Sequence, residues 1–298
     1  MANTINSNLQ NNIISQSALE QFTSILAPVS AFSTSFNDDA SSRGNAVTIL
    51  NLANTSSADD FSASTGYASQ DTTYGQTQIS LDQHKIVTWN LQDKERSESS
   101  AVELERFGYQ KGGDLANAVF QDILSAVTIA NFSDSHGVAS GSFGVDDVAT
   151  LREEAVGNSL PIDDCSLLLS PAYYGNLIQD SAVASALAYG GNDAIRGGNV
   201  PSLFGIPAVY ESNAIPQNSE NLFGLLAHPS SLAVAMRYLE PGSSQEYISA
   251  KKVSDPETGM VMGYREFYDA KMGVHTAVLE CVYGFAVGRG EGLVRLTS

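Results

Sequence analysis

The chain is poor in cysteine, in basic residues and in long apolar runs, and each shortage removes a class of function. Two cysteines occur among 298 residues, Cys165 and Cys281. They form no Cys-x-x-Cys pair and have no metal-type spacing, which argues against thiol-redox motifs and cysteine-built zinc sites. Both lie in apolar runs, as in Leu279-Glu280-Cys281-Val282-Tyr283, and read as buried free thiols; a disulfide has no support in the sequence. Lysine and arginine number 15 against 33 aspartates and glutamates, a formal net charge of −18. That is the wrong sign for holding nucleic acid through its phosphates. No segment approaches the ~18 apolar residues of a membrane span. Residues 1–15 carry neither a basic group nor an apolar stretch, so they do not read as a secretory signal. The expectation is a protein made and folded in the cytoplasm.

Catalytic motifs are also missing. The nearest approach to a G-x-S-x-G elbow is Gly137-Val138-Ala139-Ser140-Gly141, with its serine one place late and no strand before it. Gly288-Arg289-Gly290-Glu291-Gly292 follows a strand but leads into another, so it reads as a hairpin turn rather than a dinucleotide loop. No Walker lysine motif is present. The four histidines, His84, His136, His228 and His275, stand far apart with no second ligand at metal spacing. Glu153-Glu154 and Asp163-Asp164 read as solvated acidic pairs. No catalytic, cofactor-binding or metal-ligating residue is nominated, and no cofactor. The expectation is a non-enzyme, with a site assembled from scattered acids as the alternative.

What the chain does have is core material and an uneven charge. Its hydrophobic content of 43% suits one large domain or two intimate ones. From Lys251 onward acids and bases balance, so the whole net charge falls in residues 1–250. Such acidity fits either the lining of a DNA container or an ordinary soluble surface.

Along the chain, residues 1–44 are rich in Asn, Ser, Gln and Thr. Leu19, Phe22 and Leu26 nevertheless share a helix face that Pro28 ends. The segment needs a surface to lie on, its own domain's or a neighbour's; the plain alternative is a frayed terminus. Two β arms follow, 47–52 and 76–91, where Ile79/Leu81 and Val87/Trp89/Leu91 alternate with polar residues. The polar stretch 54–75 between them, with Phe61, Tyr67 and Tyr74, reads either as a projecting hairpin whose aromatics meet another subunit or as a flexible surface loop. A long helix is expected over 101–131, interrupted at Gly112-Gly113, with Asp114 opening its second half. A loop over 131–144 precedes a short helix with Asp146 and Asp147 in its first turn and Val148, Leu151 and Ala155 on its apolar face. Leu167-Leu168-Leu169 is a strand, and Ser170-Pro171 opens a helix bearing Tyr173, Tyr174, Leu177 and Ile178, with Ser170 as its side-chain cap. Gly205-Ile206-Pro207 makes a corner before the strand Ala208-Val209-Tyr210. Residues 222–226 are a strand, Pro229 opens a helix, and 255–259 is a turn. The strands 260–267 and 274–283 pair antiparallel, and 285–287 with 293–296 make a last, shorter pair.

This order, with several local strings, resembles the HK97-like major capsid fold of tailed bacteriophages across nearly the whole chain. The strings are Leu26-Ala27-Pro28-Val29 with Phe32 and Phe36, and Asp146-Asp147-Val148 with Leu151-Arg152. Others are Leu168-Leu169-Ser170-Pro171-Ala172-Tyr173 and Gly205-Ile206-Pro207 with Val209-Tyr210-Glu211-Ser212. The last are Asp255-Pro256 with Thr258-Gly259, and Tyr283-Gly284-Phe285-Ala286-Val287. None is specific alone; their order and spacing carry the resemblance. It implies an α+β chain with an N-terminal arm at 1–44 and an extended E-loop hairpin at 45–97. It further implies a peripheral domain with a spine helix at 98–159, an axial α/β domain at 160–245, and peripheral and C-terminal strands at 246–298.

The implied function is a major capsid protein that self-assembles, as hexamers and pentamers, into an icosahedral shell around double-stranded DNA. The implied partners are the chain itself, a portal, a separate scaffolding protein or none, and a decoration protein, with no membrane and no sequence-specific DNA contact. The implied location is the virion, assembled in the host cytoplasm. Covalent joining through a Lys on the E-loop, known in some relatives, is not expected here, because 54–75 contains no lysine and only Lys85 and Lys94 stand near. The alternatives are an encapsulin-like nanocompartment shell and an acidic surface adhesin or S-layer protein.

Overall fold

The computed structural model describes residues 7–34, 46–52, 63–64, 74–99, 101–181, 183, 200, 202–240, 247–255 and 259–298. Among these the α-helices longer than one turn are α1 (Ser7–Leu26), α2 (Asp93–Glu98), α3 (Ala101–Leu124), α4 (Val145–Gly157) and α5 (Pro171–Gln179). The strands of the first half are β1 (Ala46–Leu52), β2 (Tyr74–Ser80), β3 (Gln83–Gln92), β4 (Ser135–Gly137), β5 (Ser166–Leu169) and β6 (Ala208–Glu211). Those of the second are β7 (Leu222–Ala227), β8 (Leu232–Arg237), β9 (Ser249–Ser254), β10 (Val261–Asp269), β11 (Val274–Val287) and β12 (Leu293–Thr297).

Helix α1 ends at Leu26, and Pro28 opens a 3-10 turn over Ala27–Ala31, as the proline predicts. An Asn- and Ser-rich helix has little intrinsic stability, so its order comes from packing. Ile14, Ala18, Phe22 and Leu26, four residues apart, are buried against α3 in the main core. The expectation that this arm rests on a surface is met by its own subunit. The contact is close because α3 presents glycine. A Cβ on Gly108 would lie 2.5 Å from the Ile14 carbonyl oxygen, and one on Gly112 2.2 Å from that of Ala18. The Gly112-Gly113 pair therefore does not interrupt the helix, which runs unbroken through Asp114; it lets two backbones touch. Beyond the 3-10 turn Ser33 bridges to β8, its N–H donating to the Leu232 carbonyl at 3.0 Å.

Two five-stranded sheets build the body. The first has the order β3-β11-β10-β9, with β8 paired to the far end of β11. The second has the order β4-β12-β7-β5-β6. In it β5 and β6 run parallel, joined through α5, while β7 is antiparallel to both β5 and β12. This second sheet is a shared wall. Leu168, Leu222, Leu225, Ala227 and Leu293 face the main core with α1 and α3. Leu167, Leu169, Leu226, Val294 and Leu296 face a second core containing Val148, Leu151, Ala155, Tyr173 and Leu177 from α4 and α5. The period-2 alternation thus feeds two apolar layers at once. Each large side chain buried there contributes about 2 kcal/mol.

Several expectations change. The helix placed at Pro229 is strand β8: Leu232, Ala233, Val234, Ala235 and Met236 are all buried, and an unbroken apolar run does not distinguish a buried strand from a buried helix. The 288–292 segment is no hairpin. Chain 285–287 continues β11, and β12 crosses to the second sheet, with Gly288 packed so that a Cβ would lie 2.3 Å from the Ser230 carbonyl oxygen. The second β arm splits: β2 pairs with β1, whereas β3 is an edge of the first sheet. The long helix stops at Leu124, and the 131–144 loop contains β4. Ser170 makes no side-chain cap to α5; its backbone N–H donates to the Phe223 carbonyl at 2.8 Å. The boundaries at 160–245 and 246–298 do not follow the sheets, because β8 joins the first sheet and β12 the second.

Candidate functional site

The hairpin β1–β2 pairs from Ala46↔Ser80 to Leu52↔Tyr74 and is seated at its base. Val47, Ile79 and Leu81 form a small buried cluster with Ala233 and Ala235 of β8 and Val282 of β11. Gly284 permits this seat, since a Cβ there would lie 2.1 Å from the Ser80 carbonyl oxygen. Phe61 and Tyr67 lie outside the described residues, as does the side chain of Tyr74, the first residue of β2.

The first sheet has two unlike faces. One buries Trp89, Tyr264, Ala277, Leu279 and Cys281 under the helices, with the Trp89 and Phe107 rings 5.6 Å apart edge to face. The other carries the hairpin base and then opens outward. On β3 it presents Ile86, 56% exposed, then Thr88 and Asn90. Thr276 donates its hydroxyl to the Asn90 side-chain oxygen at 2.9 Å. An ion pair between Arg265 and the buried Glu280 crosses the same face, with His84 Nε2 3.2 Å from the other Glu280 oxygen. Met272, 72% exposed, tops the β10–β11 turn. A face so mixed, beside an edge strand, suits contact with another polypeptide rather than a small molecule.

The candidates for chemistry disperse. His136 meets Asp147 at 3.1 Å, and His275 meets Glu266 at 2.9 Å and Asp93 at 3.2 Å. His228 accepts the Ser230 N–H at 3.2 Å, and burial lowers its pKa. Among the described residues no cluster of His, Cys, Asp and Glu is arranged to hold a metal ion. Cys165 and Cys281 are buried and free, and burial pushes their thiols up to about 11 and about 12. Lys85 sits 3.5 Å from Asp122, which also accepts the Tyr283 hydroxyl; Lys94 lies exposed on α2. The Gly205 corner is real: Gly205 has φ +86°, and Leu203 and Ile206 exchange backbone hydrogen bonds around it. A polar cleft of about 630 Å³ lies between α1 and the end of β6, lined by Gln21, Ser24, Asn117, Tyr210, Glu211 and Ser212. Nothing in it converges as catalytic groups do. No helix of the described residues is long and apolar enough to cross a membrane.

The residues that sequence reasoning missed are Gly108 and Gly112 on α3. Their four-residue spacing on a helix was the available signal for a close helix crossing.

No protein-family model matches the chain, and no curated protein does. Solved structures do. A chain of Mycobacterium phage Che8 superposes with a TM-score of 0.57 at 18% identity, covering 89% of each chain. The capsid structure of cyanophage P-SCSP1u gives 0.59 at 16% identity, over 86% of this chain and 84% of that one. The crystal structure of a virus-like particle from Pyrococcus furiosus gives 0.53 at 10% identity, over 95% and 97%. This chain has the HK97-like capsid fold.

Proposed function

We propose that the chain is the major capsid protein of a tailed bacteriophage, building an icosahedral shell around double-stranded DNA without enzymatic activity. The observation that carries this reading is the likeness to the phage capsid chain along nearly the full length of both. It is joined by a hairpin whose own subunit holds its base. In this reading the peripheral domain comprises α1, α3, β3 and β8–β11, and the axial domain comprises β4–β7, β12, α4 and α5. The hairpin reaches over the open face of a neighbour's first sheet, where Ile86, Thr88 and Asn90 receive it. Long segments laid over neighbours add contact area, and obligate contacts commonly exceed ~2,000 Å²; repeating such heterologous contacts closes a shell when the local rotations permit. Shell contacts are non-covalent, the virion is the location, and the portal, a separate scaffolding protein and a decoration protein are the outside partners.

A second reading, a nanocompartment shell, is favoured by the likeness to the Pyrococcus furiosus particle. Electron microscopy of the expressed chain, alone and with its neighbouring gene products, separates the two. Closed particles that take up DNA beside a portal support the capsid. Closed particles filled by a cargo enzyme support the compartment, and a monomer under every condition overturns both.

A further inference from the structure

His275 occupies a joint that the shell reading does not use. It lies on β11, directly opposite Tyr268 of β10 and Leu91 of β3. Its Nδ1 is 2.9 Å from Glu266 Oε1, and its Nε2 is 3.2 Å from Asp93 Oδ1 at the start of α2. The Tyr268 ring packs on the imidazole at 4.6 Å, and its hydroxyl donates to Asp93 Oδ2 at 2.8 Å. Asp93 also donates its N–H to the Gly273 carbonyl at 3.1 Å, so the turn and the helix start are tied by backbone as well. Other charged groups on the packed elements include Asp269 and Lys271 in the turn, Lys94, Glu95 and Glu98 on α2, and Glu103, Glu105 and Arg106 on α3. Glu95 is already engaged, accepting the Gln92 N–H. The Arg96 side chain is outside the described residues.

Ionised carboxylates accept hydrogen bonds and do not donate them. Glu266 is hydrogen-bonded to one ring nitrogen and Asp93 is an ion-pair neighbour of the other, an arrangement that suits a ring with an N–H on each nitrogen. We propose that His275 is an imidazolium clasp between the β10–β11 turn and α2, and that loss of its proton opens the Asp93 side of the clasp. The side is decided by burial. Glu266 is 2% exposed and cannot turn to water, so the one remaining N–H stays with it. The Asp93 side chain is 53% exposed and is readily rehydrated once a ring lone pair faces it.

Hydrogen exchange read by mass spectrometry on the full chain tests this at about pH 5.5 and about pH 8.5, each corrected for the intrinsic rate. Segments 90–99 and 266–276 should lose about threefold in protection at the higher pH, the worth of one partly exposed ion pair. His275→Gln and, at the exposed partner, Asp93→Asn should each abolish that pH response while segment 115–124 keeps its protection. Arg96→Gln and Glu103→Gln should leave the response in place. A flat wild-type profile, an unchanged response in Asp93→Asn, or a response that vanishes with Arg96 or Glu103 instead would overturn the clasp. The test concerns a single subunit and stands whether or not the chain builds a shell.

Discussion

Helix α1 and the β1–β2 hairpin are the two segments whose residue pattern marks them as arms, and the subunit treats them differently. Helix α1 lies along α3 with backbone against backbone, burying Ile14, Ala18, Phe22 and Leu26. The hairpin touches the body through Val47, Ile79 and Leu81 at its base, and its ladder continues outward to Leu52↔Tyr74. The difference follows from what each segment can satisfy alone. A single helix with an apolar stripe has no partner within itself and must find one, whereas paired strands satisfy each other's backbone groups and can extend from the body. An arm is therefore recognised by local self-sufficiency rather than by polarity.

The largest effect should come from removing residues 1–34. Ile14, Phe22, Leu26, Val29 and Phe32 each contribute about 2 kcal/mol of burial, so the sum matches a typical whole stability of about 5–15 kcal/mol. The truncated chain should be insoluble or unfolded by circular dichroism. A soluble, cooperatively melting product would return α1 to the status of an arm.

Next comes Gly112→Val, whose side chain would meet the Ala18 backbone. A loss of about 3 kcal/mol in denaturant titration is expected. Its neighbour sharpens the point, because a Cβ on Gly113 meets the flexible Gln21 side chain at 3.3 Å. Gly113→Ala should hold or gain up to about 1 kcal/mol from helix propensity, and equal losses at both positions would mean the crossing is not backbone-close.

Gly284→Ala should act on the hairpin instead, lifting its base off β11 at a cost of about 1–2 kcal/mol. Particle yield should fall further than melting temperature. The reverse order would make the seat part of the core.

The smallest effect concerns the thiols. With Cys165 and Cys281 pushed up to about 11 and about 12, almost no thiolate exists near pH 8. Native protein exposed to iodoacetamide should therefore gain no mass until it is unfolded.

Much of the second sheet was legible. Val148, Leu151 and Ala155 fall on one helix face, and the strands at 167–169 and 208–210 stand where the apolar runs end at Ser170-Pro171 and after Gly205-Ile206-Pro207. What was not legible depends on partners far along the chain. Ile79 and Leu81 before the polar run Asp82-Gln83-His84-Lys85, and Val87, Trp89 and Leu91 after it, share one odd-numbered alternation; the run marks a break but does not say which strand each half pairs with. Leu232 to Met236 are buried on every side, which removes the periodicity that would separate strand from helix. Gly112-Gly113 looks like a break because a glycine's local preference is visible in sequence and its opposing backbone is not. For the candidate site, the open face around Ile86 was not legible, because it depends on the register of β3 against β11.

Strand β11 has a mechanical consequence. Its 14 residues form one unbroken rod that carries the hairpin seat at Gly284 and runs on to the turn at Val274. It is flanked by β8 near the seat and by β3 and β10 beyond it. A pull delivered through the hairpin along this rod loads the flanking ladders in shear, so many hydrogen bonds share the force together. A pull across it would unzip them singly. Stretched along β11, the subunit is stiff; peeled at the β9 edge, it is soft.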